Sequence, residues 1–324
     1  MDNYRLLKDK IDTLLSSTKL ASLKKDFSLI SSTYRKQNIG SNIVVKNDAE
    51  VYANLSTRMC ATTTIIFDVL NRIDSVVDFD INTALDIGSG TGAALWAMDN
   101  LFPSASVTAL ELQNCMVKYS KILSESLSLD VSYVEGNILS KTTCDKLPSV
   151  DLVIESFMLN ELSDSDRLKA VDTICDKTND YVVLIEPGTP KSYERMIKIR
   201  DYVLSKGFSL ILPCPHSNPC PLNNDYCNFS VRVERSSVER QVKGGTLSFE
   251  DEKYFYLVFR KSSNTDLTTK SIVIRHPVYR KNCVDIKLCD KANGIVTKTI
   301  TKSDKSNYKY VKKLSHGDIV DIDL

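Results

Sequence analysis

Long hydrophobic runs, strong net charge and targeting signals are all lacking in this sequence. No apolar run approaches the roughly 20 residues that a membrane-spanning helix requires. The 324 residues carry a net charge of +1, which excludes a strongly basic chain, so nucleic-acid binding would need a local patch. The start, Met1 to Tyr4, has an early acid and no apolar segment, so we expect neither a secretory signal nor an arginine-rich transit peptide.

Two cysteine patterns are also missing. The nine cysteines contain no C-x2-C pair of the kind found in common zinc ribbons, and nothing indicates the secreted context that favours a disulfide framework. Composition is otherwise ordinary for a globular protein, with 42% hydrophobic and 26% charged residues. We therefore expect reduced thiols or metal ligands.

Residues 1–80 form a predicted helical N-terminal extension. Apolar residues recur at helical spacing, the segment Ser32 to Arg35 interrupts the pattern, and a longer helix is predicted from Ala49 to Leu70. The simplest interpretation is a helical cap on a sheet. The alternative is that Arg35 and Arg58 contact RNA or a phosphate group.

A glycine turn follows the first predicted strand. Gly88, Gly90 and Gly92 let the backbone turn sharply and approach a ligand, and the following helix offers free N–H groups. The spacing is G-x-G-x-G and not the dinucleotide-binding G-x-G-x-x-G. With Asp86 before the first glycine, the stretch resembles motif I of class I S-adenosylmethionine (SAM) methyltransferases.

Strands and helices alternate over residues 81–260, which predicts a doubly wound parallel sheet of the Rossmann-like α/β class. The predicted strands are Thr83–Ile87, Ser106–Leu110, Val131–Val134, Val150–Ile154, Tyr181–Ile185 and Lys253–Arg260.

Two residues at strand ends are candidates for binding a nucleoside. Glu111 ends the second strand, 19 residues after Gly92, where a carboxylate can accept hydrogen bonds from both ribose hydroxyls. Asn137 follows the third strand, where it can bind an adenine amine.

A proline-rich insertion at 213–230 separates two late strands. It holds Cys214, Cys220 and Cys227 in a C-x5-C-x6-C spacing, which is weak evidence for a metal site on its own. A closed site needs a fourth ligand, and the candidates are His216, Cys283 and Cys289. We favour Cys289, because it follows the predicted strand Val284–Leu288 and would join the insertion to the tail. Four thiolates suit either zinc or an iron–sulfur cluster.

Residues 261–324 form a predicted β-rich module with local positive charge. They contain 13 Lys/Arg and 7 Asp/Glu, and three tyrosines are interleaved, namely Tyr279, Tyr308 and Tyr310. Strands are predicted around Ile272–Ile274, Val284–Leu288 and Ile319–Ile322. A solvated basic surface and an RNA-facing surface both fit, and confinement of the excess to one module favours RNA.

Taken together, these pieces resemble the methyltransferase-like assembly factors of the small ribosomal subunit, found in mitochondria and some bacteria. The matching stretches are Tyr34–Arg35, Arg58–Met59, LDIGSGTGAALWA at 85–97, LIEPGTP at 184–190, Arg200, PCPHSNPCP at 213–221, YCNFSVRVER at 226–235, EDEKYFYLVFRK at 250–261 and VDIKLC at 284–289. One departure is Asn228, where the family usually has histidine.

The resemblance implies a SAM-binding domain whose pocket residues are Asp86, Gly88, Gly90, Gly92, Glu111 and Asn137. It also implies a four-cysteine iron–sulfur site, of the [4Fe-4S] type, on Cys214, Cys220, Cys227 and Cys289, with zinc as the alternative. The implied partner is small-subunit ribosomal RNA in an assembly intermediate. We expect no membrane association and a monomer away from the ribosome. The expected compartment is the mitochondrial matrix or a bacterial cytoplasm, and no presequence is visible.

No acceptor motif identifies a catalytic residue. After the fourth strand, Glu155-Ser156-Phe157-Met158 lacks the prolines and the stacking aromatic, in the usual register, of amino-methyltransferases, and it lacks the cysteine of base-carbon methyltransferases. Glu155 and Glu186 remain as edge carboxylates that could orient a substrate. Two hypotheses therefore stand: an rRNA methyltransferase, or a non-catalytic assembly factor in which SAM and the cluster are structural and clamp RNA.

Overall fold

A computed structural model describes residues 3–35, 45–262 and 270–321. The helices are α1 Tyr4–Leu15, α2 Leu20–Arg35, α3 Asp48–Asn54, α4 Cys60–Asp74, α5 Ala93–Asp99, α6 Asn114–Ser124, α7 Lys141–Cys144, α8 Asp164–Lys177, α9 Pro190–Ser205, α10 Ser237–Lys243 and α11 Lys305–Val311. A π-helical turn, Leu55–Met59, joins α3 to α4, and a 3-10 turn spans Leu159–Glu161.

The strands of the main sheet are β1 Thr83–Ile87, β2 Ser106–Glu111, β3 Asp130–Glu135, β4 Val150–Ser156, β5 Thr178–Pro187, β6 Ser209–Leu212, β7 Phe229–Glu234 and β8 Phe249–Arg260. The C-terminal strands are β9 Ser271–Val273, β10 Val278–Tyr279, β11 Cys283–Asp290, β12 Gly294–Thr301 and β13 Ile319–Val320.

The main sheet has eight strands, in the order β3-β2-β1-β4-β5-β8-β6, with β7 paired to β8. Strands β1 to β5 are parallel, whereas β8 runs antiparallel to β5, β6 and β7. This order confirms the predicted Rossmann-like fold of class I methyltransferases. Because the order reverses between β1 and β4, the carboxyl ends of these strands open a crevice at that edge.

The N-terminal helices pack on this domain as the spacing predicts. Leu7, Ile11, Leu15 and Leu23 are buried in the main core. The predicted break at Ser32–Arg35 is wrong, because α2 continues to Arg35 and the Ser32 hydroxyl donates to the Leu29 carbonyl within the helix at 2.7 Å. The side chains of Tyr34 and Arg35 lie outside the described residues.

The long helix predicted from Ala49 to Leu70 is interrupted by the π-turn. At its start, the Ser56 and Thr57 hydroxyls both donate to the Ala53 carbonyl, at 3.0 and 2.7 Å. Such hydroxyls compete with the regular helical hydrogen bonds and favour a local change of pitch. The helical segment itself begins at Asp48 and ends at Asp74.

The C-terminal strands form a second, five-stranded sheet in the order β10-β11-β9-β13, with β12 paired to β11. A small core fills it, built from Val273, Val284, Ile286, Leu288, Ile300, Val311, Leu314 and Val320. The neighbouring Ile272 and Ile274 pack into the main core instead. Ile322, at the end of the predicted last strand, lies outside the described residues.

Within the described ranges, no helix is both long and apolar enough to cross a membrane. The predicted monomeric state and the three-part division of the chain at residues 80 and 260 stay predictions.

Candidate functional site

The glycine turn connects β1 to α5 and is held against the end of β2. Gly88, Gly90 and Gly92 have φ values of 72°, 54° and 88°, the left-handed region that glycine tolerates best. The N–H groups of Gly88 and Ser89 both donate to the Leu110 carbonyl, at 2.9 and 3.0 Å. The turn is therefore fixed before any ligand arrives.

The three glycines differ in what surrounds them. A Cβ at Gly88 would lie 2.8 Å from the Cβ of Met158, and one at Gly92 would lie 2.7 Å from Ser120 Oγ. A Cβ at Gly90 would meet nothing closer than the Gly88 carbonyl oxygen at 4.0 Å. Gly88 and Gly92 are thus required by packing, whereas Gly90 faces open space.

A cavity of about 940 Å³ opens at this edge of the sheet. One side is lined by the glycine turn and the ends of β2 and β3, through Gly88, Ser89, Gly90, Thr91, Glu111, Leu112, Gln113, Gly136, Asn137 and Ile138. The other side is lined by residues of the π-turn, the β4 end, the start of α9 and β8. The volume falls in the range typical of small-molecule and cofactor sites.

Glu111 is fixed at the boundary of this cavity. One carboxylate oxygen accepts from the Gly90 N–H and the other from the Gln113 N–H, each at 2.8 Å. Burial raises the pKa of this carboxyl, while hydrogen bonds from the backbone N–H groups of Gln113, Gly90 and Leu112 act in the opposite direction. Each oxygen keeps a further lone pair, so a vicinal diol could still bind.

Asn137 is exposed on the cavity wall, next to the end of β3. Its Oδ1 accepts a hydrogen bond from the Leu139 N–H at 2.9 Å, which fixes the orientation of the side chain. A second lone pair on that oxygen remains able to accept from an amine.

Asp86 and Gly92 are not among the residues that line the cavity. Asp86 is buried behind the turn, and in the part of the chain that the structure describes neither of its oxygens has a hydrogen-bond partner. Burial, assisted by the charge of Glu111, raises its pKa to about 8. The structure therefore places Asp86 in a supporting position, not at the ligand surface.

Glu155 and Glu186 hold the loop after β4. Glu155 accepts from the N–H groups of Met158 and Leu159, at 2.7 and 2.9 Å, and Glu186 accepts from Asn160 N–H at 3.1 Å. Neither carboxyl lines the cavity. Burial raises the pKa of Glu155 to about 8, and burial followed by the charge of Glu155 raises that of Glu186. Their visible role is to position the loop.

The loop carries Phe157 in an unusual conformation. Its φ is 64°, which costs a bulky residue on the order of 1 kcal/mol. The Phe157 ring lines the cavity, and the Arg58 guanidinium from the π-turn lies over it, 5.7 Å from the ring centroid. The sequence predicts no stacking aromatic in the usual register here, and the place of Phe157 on the cavity wall was not predicted, because positive φ at a phenylalanine has no sequence signal.

The cysteine insertion lies between β6 and β7 and contacts the C-terminal module. Asp225 of the insertion pairs with Arg275 and with Lys287, the latter at 3.3 Å. Cys289 lies within β11, opposite Ile272 of β9, and does not follow the strand as predicted, because β11 extends to Asp290. The insertion and the C-terminal module therefore meet at this point.

Four free cysteines belong to these two segments, three in the insertion and one in β11. Burial comes first in raising the pKa of the Cys227 thiol, and the charges of Cys214, Cys289 and Cys220 raise it further. The pKa of Cys214 is raised to about 11 and that of Cys289 to about 12, again by burial and then, among other charges, by neighbouring cysteines. Such mutual effects require that the sulfurs be near one another.

Three other side chains lie at or near these cysteines. Tyr193 Oη lies 2.9 Å from Cys220 Sγ, and His216 Nε2 lies 3.8 Å from Cys289 Sγ. Arg200 is fully buried, and its guanidinium donates to the carbonyls of His216 and Asn218 at 3.0 and 2.7 Å. Arg200 thereby shapes the first half of the insertion.

Among the described residues, no group of three or more His, Cys, Asp or Glu side chains stands in metal-binding geometry. The donor set is nevertheless four buried or half-buried thiols without disulfides. Thiolate sulfur suits zinc and iron–sulfur clusters, so the chemistry of the residues fits such a group, although the side chains would have to adjust to hold it.

Comparison with known proteins identifies the family. The family model described as mitochondrial small ribosomal subunit Rsm22 matches residues 46–321, most of the chain. The chain belongs to the Rsm22 family. The matched range includes the glycine turn, the cysteine insertion and the second sheet.

Individual relatives are more distant. The human mitochondrial ribosome assembly protein METTL17 is 26% identical over 263 residues, covering 75% of this chain and 56% of that protein. Acetylserotonin O-methyltransferase 3 of Oryza sativa subsp. japonica is 23% identical over 126 residues, covering 39% and 32%. The chain therefore spans about half, or less, of the length of these curated relatives.

Solved structures show weaker likeness. A putative RNA methyltransferase from Pyrococcus horikoshii has 14% identity and a TM-score of 0.41, covering 63% of this chain and 83% of that one. A SAM-dependent methyltransferase from Aquifex aeolicus has 16% identity and a TM-score of 0.44, covering 67% and 100%.

Proposed function

We propose that this Rsm22-family chain binds SAM in the cavity and supports assembly of the small ribosomal subunit, and so translation, by contacting its rRNA. The observation that carries the cofactor part is Glu111, whose carboxylate is held by Gly90 and Gln113 at the cavity wall. A carboxylate fixed in this way suits the two ribose hydroxyls of SAM. Gly90 leaves open space for the ligand beside it.

In this proposal Gly88, Gly90 and Glu111 form the ribose side of the pocket, and Asn137 accepts from the adenine amine. Asp86 and Gly92 support the turn from behind. The open space at Gly90 and the packing at Gly92 support this division of roles.

The assembly role follows from the family and from the name of the human relative, both of which refer to the mitochondrial ribosome. The same names favour the mitochondrial matrix as the compartment, with a bacterial cytoplasm as the alternative. The basic C-terminal module would supply part of the RNA contact. Of its three tyrosines, Tyr279 is exposed, whereas Tyr308 and Tyr310 pack against the module's own core.

Two versions of the function differ in chemistry. In the first the chain methylates rRNA, and in the second it is a non-catalytic assembly factor that uses SAM as a structural ligand. The position of Glu155 and Glu186 favours the second version, since both acids hold the loop and lie outside the cavity lining. Methyl transfer from labelled SAM to small-subunit precursors would support the first.

We further propose that Cys214, Cys220, Cys227 and Cys289 hold a [4Fe-4S] cluster, with zinc as the alternative. Besides burial, neighbouring cysteines raise the pKa of Cys214, Cys227 and Cys289, which supports this set. Such a group would link the insertion covalently to the second sheet. Because the thiols must lose their protons to bind, metal retention should weaken as pH falls.

The rRNA contact is tested by ultraviolet crosslinking of the tagged chain in its own cells, followed by sequencing of the attached RNA. We expect small-subunit rRNA to dominate, with the chain sedimenting with immature small subunits. Recovery of large-subunit rRNA or of no ribosomal RNA would contradict the proposal.

A further inference from the structure

The half of the cavity opposite Glu111 has features that the cofactor does not explain. Two rare backbone conformations meet there: the left-handed Phe157 and the π-turn Leu55–Met59. Strained residues and π-turns both concentrate at functional sites, because folding alone does not favour them. Their side chains meet across the cavity, with Arg58 over the Phe157 ring.

The backbone of Phe157 is held on both sides. Its N–H donates to the Ile185 carbonyl at 2.8 Å, and its own carbonyl accepts from Asn160 Nδ2 at 2.6 Å. Glu155 binds the next two N–H groups. The surrounding structure thus forces the ring toward the cavity, although glycine would fit this backbone with less strain.

Arg58 is also held in place by contacts on more than one element. Its guanidinium pairs with Glu252 of β8 at 3.3 Å, and the adjacent Met59 Sδ accepts from the hydroxyl of Thr91 in the glycine turn at 3.2 Å. On the other side, Met158 packs against Gly88. The residues that follow Arg58 and Phe157, Met59 and Met158, therefore both contact the glycine turn that would hold the cofactor.

Cations lie on the wall of the same cavity. Arg195 of α9 and Lys253 of β8 line it, and within the described ranges neither forms an ion pair with an acid. A planar ring with a guanidinium, next to cations able to meet phosphates, is the combination that binds single-stranded nucleic acid.

We propose that Phe157 and Arg58 form a stacking site for one unpaired nucleobase, positioned next to the SAM pocket. The inference rests on the proposed function, because it assigns the second half of the same cavity. The base stacks on the partly exposed Phe157 ring, beside the Arg58 guanidinium, and Arg195 and Lys253 meet the flanking phosphates. This site needs no methyl transfer and serves either version of the function.

The experiment uses the full chain and a short single-stranded RNA containing 2-aminopurine, whose fluorescence is quenched when the base stacks on an aromatic ring. We expect quenching with the unchanged chain. Phe157→Gly removes the ring and relaxes the positive φ, so it should not unfold the protein. It should abolish quenching and weaken binding of the labelled base by about 5- to 150-fold, the range of one lost base–aromatic stack.

Phe157→Trp is the matched control, because it keeps an aromatic face, and it should retain quenching. Calorimetric titration with S-adenosylhomocysteine separates the two proposals, since Phe157→Gly should bind it as the unchanged chain does. Equal quenching by Phe157→Gly, or no quenching by a chain that binds S-adenosylhomocysteine, would overturn the stacking site alone. Failure of the unchanged chain to bind S-adenosylhomocysteine would instead count against the SAM pocket.

Discussion

At the scale of single residues, the buried acids behind the pocket govern how stability depends on pH. Asp86 has its pKa raised to about 8, mainly by burial. Between about pH 4 and pH 8 the folded protein therefore keeps a proton that the unfolded chain has released. Because the folded state binds this proton and the unfolded chain does not, the free energy of unfolding falls as pH rises through that window.

Asp86→Asn should remove this part of the pH dependence. The full effect is on the order of 5 kcal/mol across the window, and Glu155 should leave a residual slope because its pKa is also about 8. Urea unfolding at pH 5 and pH 8 measures the change. Glu135→Gln, at an exposed strand end, is the control. If Asp86→Asn loses as much stability between these pH values as the unchanged chain, Asp86 does not hold the proton.

Residue roles at the pocket were only partly predictable. Glu111 and Asn137 line the cavity as expected, because strand ends in a parallel sheet meet at one edge. Asp86 and Gly92 lie behind it, since motif spacing does not say which residues face a ligand and which support the turn. The role of Phe157 was not predicted, because its conformation depends on two hydrogen bonds. Its N–H donates to the carbonyl of Ile185, which is distant in sequence, and its own carbonyl accepts from the Asn160 side chain.

At the scale of secondary-structure elements, β11 decides which cysteine can join the insertion. Cys283 and Cys289 are six residues apart, so the period of two places them on the same face of the strand. They differ in position along it: Cys289 pairs with Ile272 near the insertion, whereas Cys283 begins the strand opposite Thr301. Cys289 therefore lies close to the insertion, whereas Cys283 lies at the other end of β11.

Cys289→Ser should release the metal from anaerobically purified protein, and Cys283→Ser should retain it. Iron, sulfide, zinc and visible absorbance are the quantities to measure. Retention in Cys289→Ser would return the fourth position to His216, whose Nε2 lies near that sulfur. Stoichiometric zinc without visible absorbance in the unchanged chain would exclude the iron–sulfur cluster and leave the zinc alternative.

Element types were well predicted where periodicity was strong. The six predicted strands of the main sheet appear at the expected places, and their bounds differ by only a few residues, whereas β6 and β7 were not predicted. The two errors within the helices fall where hydroxyl side chains bond to nearby carbonyls. Ser32 bonds within a continuing helix, and Ser56 and Thr57 change the pitch of another. Local hydrogen bonds of this kind are not visible in an apolar pattern.

At the scale of the whole molecule, one fold holds two candidate sites, and Tyr193 of α9, next to the cavity-lining Ser192, contacts Cys220 of the second. The cavity lies at the carboxyl edge of the parallel strands, while the cysteines lie where the insertion meets the second sheet. The chain belongs to the Rsm22 family, and the proposed function uses the first site to hold SAM and the second to fix the C-terminal module.

Titration of SAM against Glu111→Gln, with Glu135→Gln as the matched control from the end of the neighbouring strand, tests the central claim most directly. We expect the unchanged chain and Glu135→Gln to bind SAM alike in calorimetry. Glu111→Gln should bind about 10- to 100-fold more weakly, since it loses charge-assisted hydrogen bonds to the ribose, each worth about 1.5–3 kcal/mol. No binding by the unchanged chain, or equal binding by all three proteins, would contradict the account.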